Sequence, residues 1–392
     1  MNRLKIEFSK DKKLYEIAGK RNCTGCGACA STCPRECIQM VENEEGFPYP
    51  LIDHTKCIRC GICLRNCPAE PEDDEKIQAV LAGYSRNPDI QRASSSGGIF
   101  THLAEAVLKK NGIVFGVTME GDRATTREIE NVGDIPGLRG SKYVQSCTEK
   151  AYRHVVRYLE EGRWVLFSGT PCQIAGLHSV LKKGYSRLIT VDFICHGISS
   201  PAVLRKYLSE TGKGKQANNI SFRDKSNGWR KFSMKVSWAD KSVSCVPMTE
   251  DIYLQSFLKN LNLRPSCFSC RFRKIHRTSD ITLGDLWGSE KIAENWTEDL
   301  GYSLIIIQSM RGVEMWNEIK DQVISTPVEL SRAMEYNSSL KQSPWDEFSR
   351  DLFFKYLPDH DLQYCIDKAT KDGPMKRAGR KIWKLLVRKN EK

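Results

Sequence analysis

Two copies of one cysteine spacing dominate the first part of the sequence. Each copy reads C-x2-C-x2-C-x3-C-P, and the eight cysteines lie between residues 23 and 67. A cubane iron–sulfur cluster is held by four thiolates that converge on a small volume, three from one tight loop and the fourth from a distant segment. The repeated spacing therefore predicts a small unit built around two [4Fe–4S] clusters.

The ligands of the two predicted clusters are shared between the two copies. In this pattern the fourth cysteine of each copy binds the cluster of the other copy. We therefore assign Cys23, Cys26, Cys29 and Cys67 to the first cluster, and Cys57, Cys60, Cys63 and Cys33 to the second. Gly25, Gly27 and Gly61 suit turns in which the backbone approaches inorganic sulfide closely. Structural zinc and a disulfide scaffold are the alternatives, and the doubled spacing disfavours both.

Length and composition limit what surrounds this unit. The chain has 392 residues, enough for two or three domains and a sizeable hydrophobic core. No apolar stretch approaches the roughly 18 residues that span a bilayer. The first residues contain no apolar signal core, so we expect a cytoplasmic protein whose 16 cysteines serve metal chemistry. The net charge of +12 comes without an aromatic and basic platform, so nucleic-acid binding is not expected.

The pattern along the chain predicts a multidomain α/β (α+β) protein. We divide it into a bacterial-type ferredoxin domain at residues 1–80, a mixed α/β core at 81–335 and a helical extension at 336–392. A short strand at 4–8 and an acidic linker at 70–75 belong to the first part, and a hairpin or loop lies between its two cysteine copies. Residues 311–392 read as mainly helical.

A serine- and glycine-rich run precedes the first helix of the core. Residues 94–98 read SSSGG, and residues 99–110 have the periodicity of an amphipathic helix. A serine cap with glycines at a helix start offers backbone N–H groups and the positive helix end to an anion such as phosphate. Capping alone also explains the serines. No G-x-G-x-x-G or Walker A sequence occurs in the chain, so neither standard nucleotide-binding motif can be claimed.

A second group of cysteines follows two predicted parallel strands. Residues 164–167 and 188–194 read as buried strands, with a helix at 172–181 between them. Cys172 and Cys195 follow the carboxyl ends of these strands, the edge at which open α/β sheets bind ligands. Cys267 and Cys270 supply a C-x2-C loop. Four cysteines from three places indicate a third [4Fe–4S] site, a zinc site, or a redox-active Cys267–Cys270 pair.

Several other residues have a role that the pattern leaves open. Antiparallel strands are predicted at 220–225, 231–238 and 242–246. Asp285 and Trp287 end a further strand, where they either reach a cofactor or pack in the core. His196 reads as a scaffold residue. The remaining cysteines, Cys37, Cys147, Cys245 and Cys365, lack ligand spacing and are interpreted as buried or incidental thiols.

The end of the chain is strongly basic. Residues 371–392 contain nine Lys or Arg against two acids, and their apolar residues have helical spacing. Such a helix either touches an anionic membrane surface peripherally, binds an acidic electron carrier, or is a solvated tail.

Seven ordered strings resemble the coenzyme F420 hydrogenase/dehydrogenase beta subunit family. They are SSSGGIF (94–100), RGSKYVQS (139–146), LFSGTPCQIAGL (166–177), DFICHG (192–197), SFRDKSNGW (221–229), RPSCFSC (264–270) and SDITLGDLWG (279–288). The resemblance covers residues 20–335, with the two-cluster ferredoxin unit placed ahead of the family's core.

The resemblance implies a flavin and a further cluster. Members of this family are FAD- and iron–sulfur-containing oxidoreductases. FAD is then expected near Ser95, Ser96, Gly97 and Gly98 and near Gly140, Ser141, Lys142 and Tyr143. The third cluster at Cys172, Cys195, Cys267 and Cys270 is also implied. Use of F420 does not follow, because the family includes members that use other substrates.

These observations lead to one main functional hypothesis and two alternatives. The main one is an FAD- and iron–sulfur-dependent oxidoreductase that exchanges electrons between a small organic substrate, such as an F420-like deazaflavin, and a ferredoxin-type partner. The second is a non-catalytic subunit that relays electrons from ferredoxin to a partner enzyme, for example in surface-polysaccharide synthesis. The third is a zinc-bearing structural protein.

Overall fold

The structure is a computed structural model that describes residues 12–68, 77–293, 296 and 298–371. The strand predicted at 4–8, the acidic linker at 70–75 and all but the first residue of the basic segment 371–392 lie outside the described residues.

Fourteen strands occur in the described residues. They are β1 (Ile38–Glu42), β2 (Pro48–Ile52), β3 (Ala79–Ser85), β4 (Ile113–Glu120), β5 (Arg123–Ile129), β6 (Ser146–Cys147), β7 (Val165–Ser168), β8 (Leu188–Phe193), β9 (Ala217–Asp224), β10 (Ser233–Trp238), β11 (Val243–Pro247), β12 (Ile281–Asp285), β13 (Ser303–Ile307) and β14 (Val323–Pro327).

Sixteen α-helices accompany the strands in the same described ranges. They are α1 (Gly19–Asn22), α2 (Ala28–Ser31), α3 (Ile62–Arg65), α4 (Pro88–Ala93), α5 (Ile99–Lys109), α6 (Ile135–Leu138), α7 (Glu149–Glu160), α8 (Pro171–Val180), α9 (Pro201–Gly212), α10 (Ile252–Leu258), α11 (Ser289–Ile292), α12 (Met310–Ile319), α13 (Leu330–Tyr336), α14 (Ser338–Lys341), α15 (Glu347–Tyr356) and α16 (Leu362–Thr370). Short 3-10 helices lie at Lys12–Tyr15, Val132–Asp134, Pro265–Cys267 and Lys320–Gln322.

The core is organised around a nine-stranded mixed sheet, which confirms the predicted α/β class. Its order is β14-β3-β13-β12-β8-β7-β4-β5-β6. The four central strands β12, β8, β7 and β4 are parallel, and Val165 of β7 is paired with Leu188 of β8. Most of their residues are buried, as is typical of a central parallel sheet. The predicted strand–helix–strand unit is therefore confirmed as β7-α8-β8.

The sheet extends further than the sequence indicated. Strands β13, β3 and β14 add to one side in antiparallel pairing, and β5 pairs antiparallel with β4 on the other. The region from residue 311 onward was predicted to be mainly helical, and its described residues are mainly helical but also include the short strand β14. Its residues alternate between partial burial and exposure at the sheet edge, and only Val323 is fully buried, so the apolar signal of a strand is weak.

The predicted antiparallel strands form a separate three-stranded sheet, in the order β11-β10-β9. This sheet shares a hydrophobic core with α9, α10, the C-terminal helices α15 and α16, and the hairpin β1–β2 of the cysteine-rich unit. Phe47 and Tyr49 of that hairpin are fully buried in this core. The hairpin was predicted between the two cysteine copies.

The turn of the hairpin packs tightly on α9. Gly46 has a positive φ of 78°, and a Cβ atom at this position would lie 2.3 Å from Cβ of Ala202. Beside it, Glu45 forms a two-point ion pair with Arg350 of α15, at 2.9 and 2.6 Å. The cysteine-rich unit is thus held against the core by both close packing and a buried ion pair. No helix in the described residues combines the length and apolar character needed to cross a membrane.

Candidate redox centres and a basic cleft

The cysteines assigned to the first cluster lie together. Burial is the main cause that raises the pKa of Cys26 to about 11, and nearby Cys23 and Cys67 contribute to this rise. Burial, followed by Cys26, Cys23 and Cys67, also raises the pKa of Cys29. Cys67, from the second copy of the spacing, is therefore close to three cysteines of the first copy. Gly25 and Gly27 have φ angles of 70° and 80°, so these turns require the left-handed backbone that glycine adopts readily.

The cysteines assigned to the second cluster show the reciprocal arrangement. Cys33 packs with Cys57 and Cys63 in one apolar cluster. Cys60 is exposed, so this end of the unit meets the protein surface. Cys37 is a buried neighbour outside the repeated spacing, with its Sγ 3.4 Å from Sγ of Cys33.

The four cysteines proposed for the third site line a single cavity. Cys172 lies in the first turn of α8, Cys195 follows β8, and Cys267 and Cys270 come from one loop. Burial raises the pKa of Cys195 to about 12, and the neighbouring Cys267 and Cys270 contribute to this rise. Iron binding would therefore release protons from these thiols. In the described residues, no three His, Cys, Asp or Glu side chains are grouped for a single metal ion; a cubane cluster instead distributes its thiolates over four irons.

The chemistry of the cavity fits a negatively charged cluster. Arg264, Arg273 and Arg277 line it together with the four thiols. The backbone N–H of Ile198 donates to Sγ of Cys267 at 3.4 Å. Such donors and cations stabilise thiolate sulfur, and they tune the reduction potential of a bound cluster.

The first and third groups of cysteines are close neighbours. A Cβ atom on Gly176 of α8 would lie 3.1 Å from Sγ of Cys26. Cys26 is among the groups that raise the pKa of Cys172, after burial and Cys270. Tyr152 lies beside both, and its hydroxyl donates to the backbone oxygen of Gln173 at 2.8 Å. The glycine in α8 thus lets the cysteine-rich unit approach the helix that carries Cys172.

A cleft of about 370 Å³ lies between the loops at residues 92–95 and 136–142 and the strand β9. Five basic residues and one acidic residue line it: Arg92, Arg139, Lys142, Arg223, Lys225 and Asp224. Of the predicted flavin-contacting residues, Ser95, Gly140, Ser141 and Lys142 line this cleft. Ser95 Oγ accepts hydrogen bonds from the backbone N–H of Ser141 at 2.6 Å and from its Oγ at 2.8 Å. These hydrogen bonds join the loop of Ser95 to the loop of Ser141 along one wall of the cleft.

Two lysines of the cleft are partly dehydrated. Lys142 Nζ donates to the backbone oxygens of Leu138 at 3.0 Å and Arg139 at 2.7 Å. Lys225 Nζ donates to the backbone oxygens of Gln91 and Ser96, both at 2.9 Å. Burial lowers the pKa of Lys142 to about 7, and burial together with Arg223 lowers the pKa of Lys225 to about 7.

Arg223 has unused hydrogen-bonding capacity at the cleft. Its side chain is 3% exposed, and its Nη1 donates to Asp285 Oδ2 at 2.6 Å. Its Nε and Nη2 are buried and have no hydrogen-bond partner within the described structure. Buried guanidinium donors are costly to leave unpaired, so an anion in the cleft is the fitting partner. Asp285 therefore acts by holding Arg223, while Trp287 stacks on Trp229 at 4.6 Å.

The structure corrects the role predicted for the serine run. Gly98, with a φ of 90°, is the N-cap of α5, and no side chain caps this helix. Ser96 Oγ instead donates to the backbone oxygen of Tyr302 at 2.6 Å, and the N–H of Gly97 donates to Ser303 Oγ at 3.0 Å. These hydrogen bonds fix the loop against β13. The approach is so close that a Cβ atom on Gly97 would lie 2.4 Å from the backbone oxygen of Gly83.

Tyr143 is the remaining predicted flavin-contacting residue. Its ring stacks on Phe257 with the ring centres 4.7 Å apart, and the ring of His196 lies 4.9 Å from Phe257 on the other side. Ser96, Gly97, Gly98 and Tyr143 adjoin the lining of the cleft without being part of it.

Four basic residues that line the cleft were not predicted from the sequence: Arg92, Arg139, Arg223 and Lys225. A signal was present for two of them, because Ser221, Arg223 and Lys225 alternate along one strand and its end. Alternate residues of a strand share a face. Two basic residues on the same face of β9 and its end would have indicated an anion site.

Family models match most of the α/β core. Residues 80–152 and 162–330 match the models described as the N-terminal and C-terminal parts of the beta subunit of coenzyme F420 hydrogenase/dehydrogenase, and together they span more than half of the chain. The chain belongs to the coenzyme F420 hydrogenase/dehydrogenase beta subunit family. In this family member, residues 22–70 also match a 4Fe-4S dicluster domain. The predicted resemblance is confirmed.

One solved structure contains a chain that is similar to this one. A chain from the xenon-derivatised F420-reducing [NiFe] hydrogenase complex of Methanosarcina barkeri has 17% sequence identity and a TM-score of 0.45. The match covers 76% of the present chain and 92% of that chain. No curated protein sequence matches the chain.

Proposed function

We propose that this family member is an FAD- and iron–sulfur-dependent oxidoreductase with three [4Fe–4S] clusters. Electrons pass between a ferredoxin-type partner and an organic hydride donor or acceptor. The path runs from the cluster at Cys33, through the cluster at Cys67 and the cluster at Cys172, to the basic cleft.

The observation that carries the proposal is the succession of three neighbouring cysteine groups in a fold that also contains a basic cleft. The second group reaches the surface at Cys60, the first adjoins α8, and the third lies at the edge of the central sheet. A series of neighbouring cluster sites suits one-electron transfer. A protein that only binds a partner or supports a structure does not need such a series. The proposal adds the FAD, the third cluster and the substrate class to the family membership.

The cleft has the charge expected for the diphosphate of FAD. Arg139, Lys142 and Lys225 supply cations at its walls, and Arg223 supplies two unpaired donors. Ser95 and Ser141 hold the two loops that define its width. When bound, FAD would exchange two electrons with a hydride substrate and one electron at a time with a cluster. The protein's own contribution is to bind the anion, limit water and position the reactive edge.

Anaerobic purification and reconstitution with iron and sulfide test this proposal. We expect about twelve irons and one FAD per chain, because each cubane cluster contains four irons. About eight irons with one zinc would overturn the third cluster. Protein without flavin after incubation with FAD would overturn the assignment of the cleft.

A screen of redox substrates separates the enzyme from a relay subunit. F420, NAD(P)H and reduced ferredoxin are each added to the FAD-loaded chain, and the flavin absorbance is followed. Bleaching by a hydride donor, with sustained turnover by the isolated chain, supports the enzyme. Bleaching by ferredoxin alone, with no turnover of any organic substrate, supports the relay subunit.

A further inference from the structure

The surface next to the second cysteine group combines exposed apolar residues with uncompensated positive charge. Ile58 is 61% exposed and Leu64 is 57% exposed. Both flank Cys60, which is itself exposed. Large apolar side chains that are exposed in one place usually mark a binding surface.

The charged residues in the loop and helix that carry these two side chains are basic. Residues 54–65 include Lys56, Arg59 and Arg65 and contain no acidic residue. Arg59 and Arg65 are exposed and form no ion pair within the described structure, whereas Lys56 lies 3.4 Å from Asp53. An apolar centre with a basic rim is complementary to an acidic protein that carries its own exposed apolar spot.

We propose that this surface, formed by Ile58, Arg59, Cys60, Leu64 and Arg65, is the docking site for a small acidic ferredoxin. The inference rests on the proposed function and specifies its protein partner. Docking here places the carrier beside the second cluster. One electron leaves the reduced ferredoxin and enters that cluster, so two encounters deliver the two electrons that a hydride-exchanging flavin accepts.

The size of the surface suits a transient partner. Redox complexes commonly have small interfaces, below about 1,200 Å², because the carrier must leave after each transfer. Electrostatic steering then raises the association rate without making the complex tight. Two apolar side chains and two arginines fit such an encounter.

The chain itself contains another acidic candidate for this surface, the run EPEDDE at residues 70–75. This run has no apolar side chain except Pro71, so it cannot replace the contact that Ile58 and Leu64 offer. The exposed apolar pair is therefore the observation that favours a separate protein over the chain's own acidic run.

Binding of an oxidised acidic 2[4Fe–4S] ferredoxin to the full reconstituted chain tests the proposal. The dissociation constant is measured by calorimetry at about 0.02 M and about 0.5 M salt, where surface charges are weakly and strongly screened. The double variant Arg59→Glu/Arg65→Glu should weaken binding at least tenfold at low salt and reduce its salt dependence. Ile58→Ser/Leu64→Ser should weaken binding at both salt concentrations.

Matched substitutions elsewhere on the chain provide the controls. Arg123→Glu/Lys320→Glu reverses two exposed charges in the α/β core, and Val243→Ser removes an apolar side chain that is 56% exposed. Both should bind ferredoxin like the unmodified chain. The visible spectrum and the iron content confirm that each variant is folded and loaded.

Two results would overturn the docking site. Equal affinities for the docking variants and the controls would place the partner elsewhere. Tighter binding by Arg59→Glu/Arg65→Glu would show that these arginines do not attract an acidic partner. Dithionite, which needs no docking site, should still reduce the flavin in every variant; if it fails in the unmodified chain, the proposed electron path fails instead.

Discussion

Arg264 Nε donates a hydrogen bond to the backbone oxygen of Cys23 at 2.7 Å, and this contact joins the cysteine-rich unit to the loop that carries Cys267. The guanidinium is 1% exposed and lies 4.1 Å from the centre of the Tyr49 ring. Gln145 Oε1 accepts a further hydrogen bond at 3.0 Å. One fixed positive charge is therefore buried between the first and third cysteine groups.

Replacing Arg264 with Gln should make the reduction potentials of the two adjoining clusters more negative. A reduced cluster carries one more negative charge, and a nearby cation stabilises it. The free energy of unfolding should also fall by about 3 kcal/mol, because buried carbonyl acceptors lose a charged donor. Redox titration followed by electron paramagnetic resonance measures the potentials. Arg264→Lys keeps the charge and should restore them; identical potentials in Arg264→Gln would contradict the role of the charge.

The ion pair of Glu45 and Arg350 should stabilise the docking of the cysteine-rich unit. Burial alone raises the pKa of Glu45, but Arg350 and Lys20 lower it to about 2. A folded-state pKa below the ordinary value of 4.5 contributes stability above pH 4.5 that is lost as the pH falls toward 2. Glu45→Gln should therefore lower the free energy of unfolding by about 3 kcal/mol, equally at pH 5.5 and pH 8.

Denaturant unfolding under anaerobic conditions measures the effect of Glu45→Gln. The matched control is Glu290→Gln, which breaks the exposed pair of Arg230 and Glu290 at 2.9 Å. Exposed pairs contribute less than about 1 kcal/mol, so this control should unfold almost like the unmodified chain. A loss that disappears between pH 5.5 and pH 8 would contradict the lowered pKa of Glu45.

Binding of FAD to the basic cleft should weaken as the pH rises through 7. The pKa of both Lys142 and Lys225 is lowered to about 7, chiefly by burial, and an anion favours their ammonium forms. Affinity should fall by up to about 100-fold between pH 6 and pH 8, because each of the two lysines contributes up to about tenfold, or 1.4 kcal/mol, over the pH unit above its pKa. Fluorescence titration of flavin-free chain measures this dependence.

Variants of the two lysines measure how much each one contributes to the pH dependence of FAD binding. Lys142→Met and Lys225→Met should each retain part of it, and the double variant should bind FAD weakly with no slope between pH 6 and pH 8. Lys320→Met, at an exposed position outside the lining of the cleft, serves as the control. A double variant that keeps the original slope would show that other groups titrate in the cleft.

Exchanging single cysteines should remove one cluster at a time. Cys67→Ser should lose the cluster formed with Cys23, and Cys33→Ser the cluster formed with Cys57, so each variant should hold about eight irons instead of about twelve. Cys37→Ser should keep all of its iron, although Cys37 lies 3.4 Å from Cys33. Iron analysis measures the content, and paramagnetic resonance identifies which cluster is missing. Loss of iron from Cys37→Ser would make Cys37 a ligand.

The sequence was most informative where the chemistry depends on local spacing. The cysteine repeat, the β7-α8-β8 unit and the C-x2-C loop each lie within a short segment, so their geometry follows from residue order. The antiparallel edge strands were harder, because pairing of β14 with β3 joins segments more than 230 residues apart. No local pattern identifies such a partner.

The cleft shows the same limit at a functional site. Its basic residues come from α4, the loop after α6 and the end of β9, which belong to different layers of the fold. Arg223 was visible in the sequence, yet its unpaired donors and its contact with Asp285 are properties of the tertiary structure. The capping role predicted for the serines was wrong, because Gly98 is the N-cap of α5 and no side chain caps this helix.

The close contact of Gly46 with Ala202 has a consequence for how such proteins diversify. The aromatic rings of the hairpin are fully buried against the core. The cysteine-rich unit therefore cannot be replaced by another ferredoxin domain unless this interface changes too. The same contacts hold the unit at a fixed distance from the core, so it does not move between donor and acceptor on a flexible linker. New electron donors would have to be acquired by surface substitutions near Cys60, while the buried interface stays unchanged.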